Sequence, residues 1–281
     1  MDNRTYDWQE WLNTQSAKFD NRTDQDMLRM ALFTNSLHGS KDIWAPDLTP
    51  EPMVTHWNGL DSEQRYRANS NDPVQRERLA QWGWLDRKIE YEINSWGFRS
   101  AGCREVEDID GPSVVTLGCS FTYGTGLPYE STWPYLVSKQ LGLDLVNLGT
   151  PGHGLELNSH WLLTQGHRIK DPQFVIVLIP PPGRMTWIEE VNGRLIGNTF
   201  SMTHLHHPGI IANLELNAFL NYVKNIETIR LWAQSRNAPL HVFTGFAGKQ
   251  GTFGLARDLC HNGEHWHRLG CEQIVQRIKN S

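Results

Sequence analysis

Apolar residues along this chain fall into two regimes. Before about residue 110 they are scattered between polar stretches such as Asn69-Ser70-Asn71-Asp72-Pro73, and from Ser113 onward they come in compact runs. In the second regime Ser113–Leu117, Leu143–Leu148, Phe174–Ile179 and Leu240–Thr244 predict strands. Thr132–Leu141, Leu155–Gly166, Leu214–Ser235 and Glu264–Lys279 predict the helices between and after them. The run Phe174-Val175-Ile176-Val177-Leu178-Ile179 is continuous rather than alternating, as a strand covered on both faces requires. Strands alternating with helices across short connections imply an α/β fold, a three-layer α/β/α sandwich around a mostly parallel sheet.

One insertion breaks this rhythm. Thr186-Trp187-Ile188-Glu189-Glu190-Val191 meets Arg194-Leu195-Ile196 across Asn192-Gly193, a strong short-range hairpin signal. The expected hairpin, near 186–197, follows the third strand and should overhang the carboxyl edge of the sheet as a lid or specificity element. Residues 1–110 read as an N-terminal extension of mixed helix and short strands, and 111–281 as the sheet-bearing domain. Within the extension, Met27, Leu28, Ala31 and Leu32 suggest an amphipathic helix over 24–37, and Ile89-Glu90-Tyr91-Glu92-Ile93 alternates like a half-buried strand.

Composition narrows the function classes. The 281 residues carry a formal net charge of −5 and no block rich in Lys or Arg, which speaks against nucleic acid or an anionic membrane as partner. The first residues contain no apolar core of a signal peptide, and no run approaches the roughly 20 apolar residues of a spanning helix. The expectation is a soluble protein without signal peptide or transmembrane segment, cytoplasmic or associated with a virion. Four cysteines in such a length do not make a disulfide framework. Twelve tryptophans are many. Some must be core, and packing is the expected role of any single one; but Trp8, Trp11, Trp82, Trp84 and Trp96 lie in the polar first part, which looks ill equipped to bury them all, and aromatic faces suit sugar rings or a protein partner.

The candidate chemistry begins where the first strand ends. Val114-Val115-Thr116-Leu117-Gly118-Cys119-Ser120 delivers a hydroxyl to the carboxyl edge of the sheet, in a tight turn that opens a helix. A serine needs a base and an orienting acid to act as a nucleophile. Asp258-Leu259-Cys260-His261, just before the last helix, supplies both three residues apart, giving the chain order Ser120, Asp258, His261. Asp258 also suits a helix cap. Cys260, His261, His265, His267 and Cys271 are dense enough to raise a metal reading, but no Cys-x-x-Cys pair accompanies them, so no metal is expected. Neither the P-loop nor the Rossmann glycine pattern is present.

Gly118-Cys119-Ser120-Phe121-Thr122-Tyr123-Gly124 resembles the first block of the SGNH/GDSL hydrolase superfamily, usually Gly-Asp-Ser-hydrophobic-Thr-x-Gly. Asn147-Leu148-Gly149-Thr150-Pro151-Gly152-His153-Gly154 is similar to its second block, and Asp258-Leu259-Cys260-His261 to its last. Asn94-Ser95-Trp96-Gly97-Phe98-Arg99 resembles a segment often found just ahead of that domain. Over residues 94–281 the resemblance implies a flavodoxin-like sheet order and an ester or O-acetyl hydrolase without cofactor, acting on a small molecule or a glycan. It implies Ser120 as nucleophile, His261 as base, Asp258 as orienter, and the N–H groups of Ser120 and Gly152 as the oxyanion hole. Two departures stand out. Cys119 replaces the usual aspartate, and Ile179-Pro180-Pro181-Pro182-Gly183-Arg184 replaces the third block, Gly-x-Asn-Asp, whose asparagine supplies an oxyanion donor. Arg184 and Asn198 are the candidates for substrate or oxyanion contacts in its place. The competing expectation is a catalytically impaired member, a binding or structural protein of a surface or virion assembly that meets its partner through the N-terminal extension.

Overall fold

The computed structural model describes residues 52–180, 184–191, 194–201, 208–246 and 254–280, with backbone alone for 164, 184–191, 194–201 and 208–218. The predicted helix over 24–37, Trp8, Trp11 and the Pro181–Gly183 segment lie outside the described residues. In chain order the elements are β1 (Met53–Thr55), α1 (Glu63–Asn71), α2 (Pro73–Gln81), β2 (Tyr91–Ile93), β3 (Pro112–Leu117), α3 (Ser120–Tyr123) and α4 (Trp133–Leu141). They continue with β4 (Asp144–Asn147), α5 (Leu155–Gln165), β5 (Asp171–Leu178), β6 (Arg184–Val191), β7 (Arg194–Ser201), α6 (Pro208–Ser235), β8 (Leu240–Phe243) and α7 (Glu264–Lys279).

Four parallel strands form the central sheet in the order β4-β3-β5-β8. Counting from β3 this is 2-1-3-4, the flavodoxin-like order, which places a crevice at the carboxyl ends of β3 and β5. Alternation along the strands separates two cores. Val115, Leu117, Val175 and Val177 face α5 and α6, where Leu157, Trp161, Ile229 and Ala233 complete the layer. Val114, Ile176 and Leu178 face the other way, onto Trp133, Val137, Trp266 and Ile274 of α4 and α7. Continuous apolar runs in β3 and β5 are therefore the signature of a sheet with both faces covered. β6 and β7 pair antiparallel with Val191 opposite Arg194, the register of a two-residue hairpin.

Two features of the first part depend on the fold. The polar stretch around Asn69–Pro73 is the junction of α1 and α2. Asp72 closes the first helix and caps the second, accepting from Gln75 N at 2.9 Å, and Pro73 begins the second helix with its φ already set. Trp84 and Trp96 are buried, as expected of any single tryptophan. Trp84 donates its indole N–H to Leu255 O at 2.7 Å. Leu79, Trp84, Ile89, Tyr91 and Ile93 share one apolar cluster with Tyr123, Leu127 and Ala256. Residues ahead of the sheet therefore pack beneath the two loops that follow β3 and precede α7.

Candidate active site

The turn after β3 can be made only by glycine. Gly118 has φ +151°, and a Cβ there would lie 2.2 Å from Thr122 Oγ1 and 2.6 Å from Leu178 O. The chain turns at once into α3, whose first residue is Ser120, and leaves it through Gly124 in a left-handed conformation at φ +81°. Asn147, at the end of β4, ties this turn to the next loop. Its Oδ1 accepts from Gly149 N at 3.0 Å and Thr116 Oγ1 at 3.2 Å, and its Nδ2 donates to Thr122 O at 3.1 Å. Asn158 adds a second tie from α5, donating to Gly118 O at 3.3 Å and Leu148 O at 3.1 Å.

The loop before α7 brings the remaining groups. Leu259 sits at φ +56°, a conformation costly for a branched L-residue, and this bends Asp258 back over His261. Asp258 Oδ1 accepts the backbone N–H groups of Cys260 and His261 at 3.0 and 3.1 Å. Its Oδ2 lies 2.5 Å from His261 Nδ1, and His261 Nε2 lies 2.7 Å from Ser120 Oγ. Ser120, Asp258 and His261 are 5%, 2% and 6% exposed, so these contacts are made almost out of water. Burial pushes the Asp258 carboxyl up. The hydrogen bond and charge of His261, with the two N–H groups, outweigh that and hold it below the usual carboxylate range. An ionised carboxylate at Nδ1 fixes the proton there and leaves Nε2 as an acceptor facing the hydroxyl. The ring of Phe121 packs edge-on against His261 with centroids 5.0 Å apart, covering the imidazole.

The other predicted residues are placed as follows. Gly152 has φ +81°, and a Cβ there would meet nothing within 4 Å, so the second loop is open at this point. Among the described residues, neither Gly152 N–H nor Ser120 N–H donates to a backbone carbonyl. Arg184 opens β6, and Asn198 stands opposite Trp187 on β7; the side chains of both lie outside what is described. Cys119 is buried beside Ser120. The histidine- and cysteine-rich tail is dispersed: His267 Nδ1 accepts the N–H of Trp133 at the start of α4 at 3.0 Å, and Cys271 is in the core. Burial, then the neighbouring His261 and Arg99, push the His267 pKa down to about 3, which keeps that ring a neutral acceptor.

Sequence reasoning missed two supports. Asn158 shows itself only as a polar residue between the apolar Leu157 and Trp161 of a buried helix. Arg99 belongs to the segment resembling a lead-in to the domain, but its task was not legible. Buried and with no carboxylate bound to it among the described residues, it donates to the carbonyls of Gly124, Leu127 and Glu90 at 2.7, 2.8 and 3.1 Å and lies 4.4 Å from the Tyr91 ring centre. It grips the loop that leaves α3.

No family model matches the chain, and no curated protein does. Among solved structures it is similar to an acetyl xylan esterase from the rumen bacterium Butyrivibrio proteoclasticus, at 11% identity and a TM-score of 0.37. That match covers 60% of this chain and 63% of the other. A member of the lipolytic protein G-D-S-L family from Veillonella parvula matches at 11% identity and 0.32, over 60% of this chain and 100% of its own. A family two carbohydrate esterase from Clostridium thermocellum, solved with cellohexaose, matches at 14% identity and 0.34, over 61% and 64%. This chain thus spans under two thirds of the two carbohydrate-active proteins. Likenesses of this size carry no weight by themselves. The parallel sheet in the order β4-β3-β5-β8 and the contacts among Ser120, His261 and Asp258 stand on the chain's own geometry.

Proposed function

We propose that the protein is a serine ester hydrolase that removes an acyl or O-acetyl group from a small molecule or a glycan. The observation that carries this reading is the unbroken contact from Ser120 Oγ to His261 Nε2 at 2.7 Å and from His261 Nδ1 to Asp258 at 2.5 Å. Such a chain lets His261 take the hydroxyl proton as Ser120 attacks the ester carbonyl, and return it to the leaving alcohol when the bond to it breaks. Asp258 stabilises the imidazolium that forms between the two transfers. Water then attacks the acyl-enzyme with His261 again as base, and the acid product leaves. Gly152 N–H and Ser120 N–H are the donors we assign to the developing oxyanion. Arg184 or Asn198 on the hairpin is the proposed source of a further contact where the third block supplies an asparagine.

Covalent labelling by a fluorophosphonate probe tests this without a choice of substrate, and hydrolysis of p-nitrophenyl acetate tests turnover. The expected result is labelling of the wild type and none of Ser120→Ala, with the same contrast in hydrolysis. The absent third-block asparagine favours a second reading, a binding or structural protein that keeps the fold without the chemistry. Loss of one oxyanion donor costs about 10²–10³ in turnover in a characterised hydrolase. Equal, background-level reactivity of wild type and Ser120→Ala would decide for that second reading.

A further inference from the structure

Next to Asp258, and pointing the opposite way, Arg257 is buried against a carboxylate from far upstream. Its Nε and one terminal nitrogen meet Asp61 at 3.0 and 2.6 Å, a bidentate pair, and it also donates to His56 O at 2.5 Å. Both side chains are essentially out of solvent, and the guanidinium lies 4.1 Å from the Trp57 ring centre. The same Asp61 oxygen accepts from Tyr91 at 2.6 Å, and the Tyr91 hydroxyl accepts from Gly126 N at 2.8 Å. Gly126 O in turn accepts from Arg257 N at 3.0 Å. Asp61, Tyr91, Gly126 and Arg257 thus close a ring of hydrogen bonds joining the loop after Ser120 to the loop that carries Asp258 and His261.

The turn inside that ring needs holding. Leu259 at φ +56° stores strain, and strained backbone persists only where the surroundings over-determine it. Two backbone bonds brace it locally, Ala256 N to His261 O at 3.0 Å and Leu259 N to Ala256 O at 2.9 Å. Neither fixes the loop against the strand-side loop that holds Ser120. The Arg257 clamp does.

We propose that Asp61 is a positioning residue of the hydrolytic site: through Arg257 it holds the Ala256–His261 turn in register with Ser120. The residues ahead of the sheet are then part of the catalytic apparatus rather than an appendage. This rests on the hydrolase reading above. In the full chain, Asp61→Asn should lower kcat toward p-nitrophenyl acetate by about 10–100-fold, the scale of a reacting group displaced by about 1 Å, with KM within about twofold of wild type. Asp61→Glu, which keeps the carboxylate, should recover part of that loss. The downfield proton resonance of His261 Nδ1–H, which exists whether or not the protein turns over, should shift or broaden in Asp61→Asn. Glu63→Gln, an exposed charge change on α1, is the control expected to alter neither quantity. If Asp61→Asn does not fold, Tyr91→Phe removes the hydroxyl link and should move both readouts in the same direction by less. A variant that melts earlier yet keeps the wild-type kcat and the wild-type resonance overturns the proposal, because a merely structural pair does that. Failure of the hydrolase reading has a different outcome: wild type unreactive at Ser120, with the resonance still reporting on the clamp.

Discussion

Replacing Asp258 by asparagine leaves the shape of the site almost unchanged and inverts its proton logic. In the native protein Oδ1 takes two backbone N–H groups and Oδ2 faces His261 Nδ1. An amide can satisfy the same backbone donors only with its oxygen in the Oδ1 place, which puts its NH2 against Nδ1. The imidazole must then present a lone pair at Nδ1 and carry its proton on Nε2, aimed at Ser120 Oγ 2.7 Å away. The base has become a donor. Turning the amide over restores the tautomer but sets NH2 against two backbone donors, leaving two buried groups unpaired at about 1–3 kcal/mol each. A penalty of about 2–6 kcal/mol on the competent arrangement converts, at 1.36 kcal/mol per decade, to a fall in kcat of roughly 30-fold to 10⁴-fold. The upper end is the loss recorded for the same replacement in a serine protease triad. Rates of fluorophosphonate labelling at Ser120 and of p-nitrophenyl acetate hydrolysis, beside a thermal melt showing an intact fold, measure it. A folded Asp258→Asn that loses less than tenfold would refute the assignment of Asp258 as orienter.

Gly118→Ala forces a methyl onto Thr122 Oγ1 and the carbonyl of Leu178 at a disfavoured φ, and should cost about 3 kcal/mol or more of stability. A urea unfolding midpoint within error of wild type would contradict the packing described for this turn. His267 is neutral when folded, with its pKa pushed from 6.5 to about 3, so the unfolded chain binds the extra proton between those values. Stability should therefore fall as pH drops from about 6.5 toward about 3, by up to about 1.4 kcal/mol per pH unit for this one proton. His267→Gln, which can still accept the Trp133 N–H, should flatten part of that decline. The rest belongs to groups such as His160, which burial pushes down to about 4. Urea titrations at a series of pH values that show equal slopes in both proteins would count against it. Asn158→Leu removes one donor from each of the carbonyls of Gly118 and Leu148, which keep Thr150 N–H and Thr150 Oγ1, and should cost about 1–3 kcal/mol while slowing Ser120 labelling; a stable variant labelled at the wild-type rate would contradict the tie.

The parallel sheet was legible because burial on both faces writes itself into the chain as uninterrupted apolar runs. Strand and helix limits from Ser113 onward fall within a few residues of those observed, except β7, which runs on to Ser201 rather than Ile196, and α6, which begins at Pro208 rather than Leu214. Asp258 and His261 were legible because their pairing is local, three residues apart, and the hairpin because Asn192-Gly193 is a local turn signal. What the sequence concealed is what depends on distant partners. α1 buries no side chain and α2 only Leu79, so no apolar period announces them; Ser62, Asp72 and Pro73 start them instead. Trp84 and Trp96 sit in polar surroundings along the chain, yet they pack against residues that only the fold delivers. The guanidinium of Arg99 and the carboxylate of Asp61 follow the same rule. A buried charge is recognisable once its hydrogen-bond partners are assembled, and here those lie 9 to 196 positions away.

The separation of Asp61 from Arg257 also orders events during synthesis. Ser120 meets His261 across 141 positions, and Asp61 meets Arg257 across 196. Contacts of such span form late, because the chain between them must first be drawn together. While the chain is still emerging, Asp61 has no cation to neutralise it, and an unpaired carboxylate resists being closed away from water. The segment holding β1, α1 and α2 cannot seal before Arg257 has been made, and by then Asp258 and His261 follow within four residues. The contact of Ser120 with His261 and Asp258 is in this way withheld from the nascent chain and arrives late, together with closure of the fold.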